Sequence, residues 1–593
     1  MIGKRHPQSE LFDVGNVYPL ALKPGTFHAQ LAHAAGRLFR DDDFAALYSE
    51  RLGRPSVPPS LLALTVLLQH EAGVSDEEAV SRTAYDLRWA AVLGRQAGEP
   101  LCAKSTLQLF RAHLVLHDQV RNLFQASLLE ARRAGLLRGQ ALRVALDTKP
   151  IQGRGAVLDT YNLLAGGIRQ LAAALARSEG KKLADWLCEH SLQSLEPYAQ
   201  PRATSIKGSA EVDWSDPAAR NGFLAEIVSA AQQLLTLASG GQSGRSGRSG
   251  PQIQSVQQAA QLLGALLLQD VETATGSGGP FGGAEAGPQA CADASIQVSI
   301  KAGTTPGRMP SVTDPEQRHG HKSESRLFTG FKASVAVDTH SQVIVAADVL
   351  PADAGDATGA LSLVEEAETN TALPVEQTLG DCAYGGGPTR QEFTEAGRDL
   401  IARVPAEWHR DGLYPKSAFV IDLDHNTVTC PAGHTTRASC RTSDGGRKFF
   451  FGGVCASCPL RMACTQAKRG RTVQVHAQEA QLRAARAFQR TPEGRRALRE
   501  RVVVEHRLAR LGQLGIGQAR YLGRVKTRFQ LLMAATIANL RRTWNWQRDQ
   551  AVRLPLLPIP RAQSGDSLRP VFPDLWALRP IFSVFKSVLL AAN

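Results

Sequence analysis

An α/β fold, interrupted by insertions and preceded by an all-helical N-terminal region, is what the sequence predicts, on three observations. Over residues 1–140 apolar residues recur at three and four spacing, the period of an amphipathic helix. Farther on come β-rich runs, GFKASVAVDT at 330–339 and SQVIVAADVLP at 341–351. Three acidic residues, far apart in the chain, each sit in a setting suited to a metal-binding carboxylate: Asp147 in RVALDTKP, Asp381 in QTLGDCAYGGG and Glu505 in RVVVEHRLAR.

The helical expectation rests on SLLALTVLLQHEAG, SDEEAVSRTAYDLRWAAVLG and KSTLQLFRAHLVLHDQVRNLFQASLLEARRAG. Pro58 and Pro59 mark the entry to the first long helix, Ser75 with Glu78 fits a capping box, and Ser105 is the expected cap of the next helix. Val144, Ala145 and Leu146 read as a short buried strand that delivers Asp147 to its end. Residues 161–239 are rich in alanine, leucine and glutamine and read as helical, GGQSGRSGRSGP at 240–251 reads as a flexible linker, and TGSGGPFGGAEAGP is a second glycine-rich tract. Gln377 to Gly380 form the strand that delivers Asp381 before the glycines at 385–387 turn the chain. Glu505 follows three valines and opens a basic helical segment. The expected organisation is a helical N-terminal domain at 1–140, catalytic parts at 141–160 and 296–400, and a helical and Gly/Ser-rich insertion at 161–295. A cysteine-bearing insertion at 401–475, an arginine-rich catalytic part at 476–548 and a tail at 549–593 complete it.

Two carboxylates at strand ends and one on a later helix is how an RNase H-like domain assembles a site for two divalent cations, which activate an attacking oxygen and stabilise a leaving one on a phosphodiester. Hard cations take oxygen ligands, so aspartate and glutamate are the right donors. In TKPIQGRGAVLDTYNLL after the first aspartate, RHGHKSESRLFTGFKASVAVD with its Gly-Phe-Lys strand, the GD-x-x-Y-G around Asp381 and a glutamate among arginines, the chain resembles bacterial insertion-sequence transposases of the DDE type. The resemblance extends over most of residues 54–542. It implies an RNase H-like catalytic domain and two Mg²⁺ ions, replaceable by Mn²⁺, held by Asp147, Asp381 and Glu505. It further implies cleavage at transposon ends followed by strand transfer, contact of the helical N-terminal domain with terminal inverted repeats, and a homodimer on DNA. The family's Tyr-x2-Arg-x3-Glu-x6-Lys signature, aligned on Glu505, is met by Arg501 but finds Leu498 in place of Tyr and Gly512 in place of Lys. Arg507 and Arg510 are the candidates to supply the missing cation, and Glu500 and Glu493 are fallback glutamates. The rival readings are an RNase H-like nuclease that cuts without joining and a domesticated copy that only binds DNA.

A formal charge of +13 and a pI near 9.5 call for a polyanionic partner. Residues 461–549 hold 20 Arg and Lys against 5 Asp and Glu, so the positive charge concentrates around Glu505. Cations that neutralise phosphates release counterions and supply affinity without sequence preference, which makes DNA the expected partner. The candidate phosphate contacts are Lys149, Arg154, Lys332, Arg501, Arg507, Arg510, Arg520 and Arg524, with Gln152, His319, His321 and Lys322 beside the proposed strands. The start, MIGKRHPQSELFDVG, lacks the apolar core of an export signal, and no apolar run approaches the ~20 residues of a spanning helix, so a cytoplasmic, nucleoid-associated protein is expected.

Nine cysteines are too sparse for a disulfide framework, yet Cys430, Cys440, Cys455, Cys458 and Cys464 fall close together. Cys455-x2-Cys458 has a zinc-knuckle spacing, and Cys430 with Cys464 would complete a tetrahedral structural zinc site, leaving Cys440 and His434 spare. A branch of the resembled transposases carries a cysteine-bearing insertion here, before the glutamate. Trp408 reads either as a base-stacking platform or as an anchor in the insertion's own core.

Overall fold

The computed structural model describes residues 1–6, 12–51, 53–199, 205–240, 250–273, 298–303, 305–323, 325–404, 410 and 412–553. Trp408, most of both glycine-rich tracts and nearly all of the C-terminal tail lie outside the described residues. The chain divides into two units, Met1–Trp546 and Gln547–Asn593, and of the second only the helical residues 547–553 are described.

Six strands form the central sheet: β1 (Leu142–Gln152), β2 (Arg318–Ser323), β3 (Arg326–Asp338), β4 (Ile344–Pro351), β5 (Val375–Gly380) and β6 (Leu400–Ala402). Their order is β2-β3-β1-β5-β6, with β4 also paired to β3. β1 and β3 run antiparallel, from Val144 opposite Asp338 to Gln152 opposite Gly330. β3 and β4 are likewise antiparallel, whereas β5 is parallel to β1 and β6 parallel to β5. β3 is buried from Thr329 through Asp338, which is why it reads as a near-continuous apolar run.

Ahead of the sheet stand α1 (Pro59–Ala72), α2 (Asp76–Tyr85), α3 (Leu87–Leu93), α4 (Lys104–Leu116) and α5 (Val120–Ala134). Ser75 caps α2 as expected, accepting from the Glu78 N–H at 3.1 Å. The expected second helix is cut at Asp86, whose carboxylate accepts from the Arg88 N–H at 3.0 Å and restarts the helix as α3. Ser105 is not a cap: α4 begins at Lys104, so the hydroxyl lies inside the first turn.

The region 1–140 does not close on a core of its own. Leu64 of α1 and Phe124 of α5 belong to the same apolar cluster as Val335 of β3, Ile344 of β4 and Leu531 of a long C-terminal helix at 524–553. Asn539 of that helix staples the cluster, accepting from the Ile344 N–H and donating to the Ile344 carbonyl, both at 2.9 Å, and donating to Ser127 Oγ of α5 at 3.3 Å. Buried amides that meet all their partners fix one register between neighbouring elements.

The insertion after β1 has a separate core. Helices α6 (Thr160–Ser178), α7 (Pro217–Gly240) and α8 (Gly250–Asp270) bury Leu171, Leu224, Leu234 and Leu263 against one another. The module reaches farther than the expected boundary at 295. A hairpin of Val271–Thr273 with Val298–Ile300 follows α8, Val312 still packs in this core, and Arg308 is pinned to Asp270 at 2.7 Å. The central sheet therefore resumes at Arg318 and not at 296.

The cysteine-bearing insertion forms two small three-stranded sheets over Phe419, Ile421, Val428, Phe449, Phe451, Val473 and Val475, with Cys455 and Cys464 buried among them. The arginine-rich part then adds α9 (Glu479–Phe488), α10 (Pro492–Glu500), α11 (Val502–Leu511) and α12 (Arg524–Arg553).

Candidate active site

Asp147 is not at a strand end. β1 continues to Gln152, because β3 stays paired with it along that whole length. The other edge behaves differently: β5 pairs with β1 only as far as Leu379 opposite Ala145. Carrying that parallel register two residues on brings Asp381 alongside Asp147, at the fork where β5 ends. There Asp381 caps the turn Cys382–Tyr384 and accepts from the Ala383 N–H at 2.8 Å. The turn needs glycine behind it, since a Cβ on Gly385 would lie 1.7 Å from the Arg403 carbonyl oxygen.

Glu505 arrives on α11, which packs across β1. Arg501, one turn earlier, donates to Asp147 Oδ2 at 3.1 Å and to Glu505 Oε1 at 2.5 Å. The fallback glutamates stand elsewhere: Glu500 is paired with Arg143 at 2.6 Å, and Glu493 lines a cleft near β6. What seats α11 is the chain that follows it. Gln152 donates to the Gly517 carbonyl at 3.0 Å and accepts from the Ala519 N–H at 2.7 Å, and Arg154 donates to the Arg520 carbonyl at 2.6 Å. The strand that carries Asp147 is thus zipped to the segment that ends the glutamate helix.

Burial pushes the Asp147 carboxyl above its ordinary range; the Thr148 N–H and Arg501 pull it down, and Asp381 and Glu505 push it up again. Thr148 donates at 2.7 Å. Tyr384 is buried below, and burial, with Asp147, Asp356 and Asp381 around it, drives its phenol far above the ordinary value. Tyr384 belongs to the quoted GD-x-x-Y-G motif but reads there only as part of a turn; Asp356 carries no sequence signal. Among the described residues, no group of three or more His, Cys, Asp or Glu side chains stands close enough to hold a metal ion as arranged. The donor chemistry nevertheless fits a hard cation: three carboxylates share one field, and a guanidinium sits between two of them.

Residues 429–544 match the family model described as Transposase DDE domain, and residues 21–113 match Transposase domain (DUF772). The two matches support an insertion-sequence DDE transposase. The DDE match begins at the cysteine-bearing segment and spans Glu505, while Asp147 and Asp381 precede it. No curated protein and no solved structure matches the chain. Divalent metal ions are general to DDE transposases. No described helix is long and apolar enough to cross a membrane.

The expected phosphate contacts divide into two groups. Lys332 is corrected: it is buried, with its ammonium held by Asp356 at 2.8 Å and the Ala354 carbonyl at 2.7 Å. Arg520 is spent on the Val74 carbonyl, and Arg501 on the two carboxylates. Arg507 and Arg510, the candidates for the cation missing at 512, are both partly buried, with Arg542 beside Arg507 and Arg541 and Glu71 beside Arg510. Arg154 and Arg524 are exposed, and Lys149 is half-buried next to Gly512. Of the histidines, His319 meets Thr329 Oγ1 at 3.0 Å across β2 and β3.

Cys430, Cys455, Cys458 and Cys464 line one small cavity with His434, and Cys440 is exposed on a separate strand. Burial raises the Cys464 thiol; Arg471 lowers it, and Cys455, Cys430 and Cys458 raise it further. The Arg471 N–H points at Cys455 Sγ from 3.4 Å.

Proposed function

We propose that this chain cuts DNA at the ends of an insertion sequence and joins the freed ends to target DNA, through an RNase H-like domain whose metal-holding residues are Asp147, Asp381 and Glu505. The observation that carries the reading is Arg501, which ties a carboxylate in the middle of the sheet to one on the helix packed across it, beside the tip of β5 where Asp381 stands. The sheet supports the RNase H-like reading, because three antiparallel strands in the order β4-β3-β1 are extended by two parallel ones, β5 and β6.

Two Mg²⁺ ions, or Mn²⁺ in their place, would supply activation of the attacking oxygen and stabilisation of the leaving one. The protein's own part is positional. β1 and β5 hold Asp147 and Asp381 in register, the zip between Gln152 and 517–519 holds α11, and α11 brings Glu505 to the same face. Arg501 balances the carboxylate charge while no cation is bound, and the exposed arginines of 476–548 bind backbone phosphates of either DNA substrate. The N-terminal helices read the terminal repeats, and two copies act together on paired ends. Cys430, Cys455, Cys458 and Cys464 would hold a structural Zn²⁺ that braces the small sheets, with thiolate as the fitting donor.

The test is incubation of the full chain with labelled transposon-end DNA and Mg²⁺. Nicked end DNA together with joined products supports the reading; cleavage without joining marks a nuclease. Undiminished cleavage by Asp147→Ala would overturn the site.

A further inference from the structure

We propose that Lys149, seated against the side-chain-free position Gly512, is the cation that grips the DNA phosphate next to the reacting one. The inference rests on the transposase reading and names a contact within it.

Lys149 lies two residues after Asp147 on β1, so the alternation of a strand turns both side chains to the same face, the face α11 crosses. Lys149 as a whole is half-buried, and among the described residues its ammonium has no ion pair and no hydrogen bond. Several cations in this fold meet carboxylates, Lys332 at Asp356, Lys416 at Glu479 and Arg111 at Asp76, whereas Arg507 has arginines beside it. An ammonium without a counterion, on the strand face that also carries Asp147, is placed to meet an anion brought from outside. The phosphate that neighbours the phosphodiester being cut is such an anion, and a compact ammonium binds one as a point charge.

Gly512 makes the seat. A Cβ there would lie 3.2 Å from both Cε and Nζ of Lys149, tighter than ordinary contact. The glycine ends α11 with helical angles, φ −59° and ψ −42°, so its conformation requires no glycine. What glycine provides at this position is space for the lysine tip. Alanine at 512 should fold at least as well as glycine, because a helical glycine costs roughly 0.5–1 kcal/mol relative to alanine, and only the flexible lysine tip has to move.

The experiment compares Lys149→Ala, Gly512→Ala and the double variant in the full chain, reading end-DNA binding against salt in EDTA and cleavage in Mg²⁺. The expected result is a salt slope shallower by roughly one unit in Lys149→Ala, with a smaller change of the same sign in Gly512→Ala. Cleavage should fall by a larger factor than binding, and the double variant should lose no more than Lys149→Ala alone. Wild-type slope and cleavage in Lys149→Ala overturn the proposal, as do strictly additive losses in the double variant. Thermal melting of Gly512→Ala at or above the wild-type temperature separates displacement of the lysine from misfolding. If the wild-type chain neither binds nor cuts end DNA, the transposase reading itself has failed, an outcome distinct from loss of the lysine contact.

Discussion

Arg501 donates to Asp147 from 3.1 Å while also holding Glu505, joining residues 354 positions apart in the chain. Of the groups acting on the Asp147 carboxyl, Arg501 is the cation that lowers it. With Arg501→Gln, burial and the charges of Asp381 and Glu505 act with less opposition, so the Asp147 pKa rises further. The acid limb of the cleavage rate should move to higher pH, and the metal-free protein should melt earlier at neutral pH. A rate profile whose acid limb stays in place would show that Arg501 does not set the ionisation of Asp147.

Asp147→Asn should abolish cleavage and yet raise the melting temperature of the metal-free protein. The folded carboxyl is raised above its usual 3.8, chiefly by burial. Between that value and the raised one, the folded state binds more protons than the unfolded state, so the carboxylate's contribution to stability falls as pH rises through the window. The penalty is fully present above the raised pKa and is removed by asparagine. Melting of the wild type and the variant at pH 3 and pH 8 checks this. The gain should appear at pH 8 and vanish at pH 3; equal gains at both pH values would mean the effect is not ionisation.

A second group works with the opposite pH sense. His70 of α1 is fully buried against Phe529 of α12, its Nδ1 2.9 Å from the Val66 carbonyl, and burial lowers its pKa to about 3. Between about 3 and 6.5 the unfolded chain protonates this histidine while the folded chain does not, so stability is lost as pH falls through that range. His70→Leu keeps an apolar contact with Phe529 and removes the proton. Its stability should fall less steeply on acidification, by about one bound proton near pH 5, when denaturant melts are compared across pH. Parallel pH curves for the two proteins would contradict the assignment.

Much of the candidate site was legible because its carriers are local: an apolar run before Asp147, another before Asp381, and glycines after it. The strand end expected at Asp147 was wrong for a nonlocal reason, since β1 is prolonged by its partner β3, whose pairing no local pattern announces. Lys332 looked like a surface cation because a lysine within a strand says nothing about Asp356, 24 residues away. The N-terminal helices were recognisable by period, but an amphipathic face does not reveal which partner covers it, and here that partner is the central sheet together with α12. Gly512 appeared only as a missing lysine, and its use as a seat for Lys149 depends on two elements meeting.

The four clustered cysteines lead to a compositional test. Purified protein should carry about one zinc per chain, bound through sulfur at ~2.3 Å. Cys455→Ser or Cys464→Ser should lose the metal and loosen the small sheets, since both residues lie in that core, whereas Cys440→Ser should change neither. Elemental analysis with limited proteolysis reads both effects. Metal-free wild-type protein with a protease-resistant 412–475 segment would reduce the cluster to buried thiols.

The exposed and the engaged arginines should separate under salt. Arg524 is exposed at the start of α12, where its backbone N–H meets Glu316 at 2.6 Å and its guanidinium is left toward solvent. Arg520, four residues earlier, donates to the Val74 carbonyl and so joins the arginine-rich segment to the N-terminal helices. Arg524→Ala is therefore expected to weaken binding to end DNA and to random DNA alike, with a salt slope shallower by about one unit and no change in melting temperature. Arg520→Ala should do the reverse, lowering the melting temperature and leaving the slope unchanged. Deleting 1–140 cannot serve to locate repeat recognition, because that region shares its core with β3 and β4. Substitutions at exposed polar residues of α2 and α4 are the appropriate probe, and they should reduce the preference for end DNA over random DNA without altering the slope. If Arg524→Ala removes that preference while the α2 and α4 variants retain it, recognition and anchoring are assigned to the wrong parts of the chain.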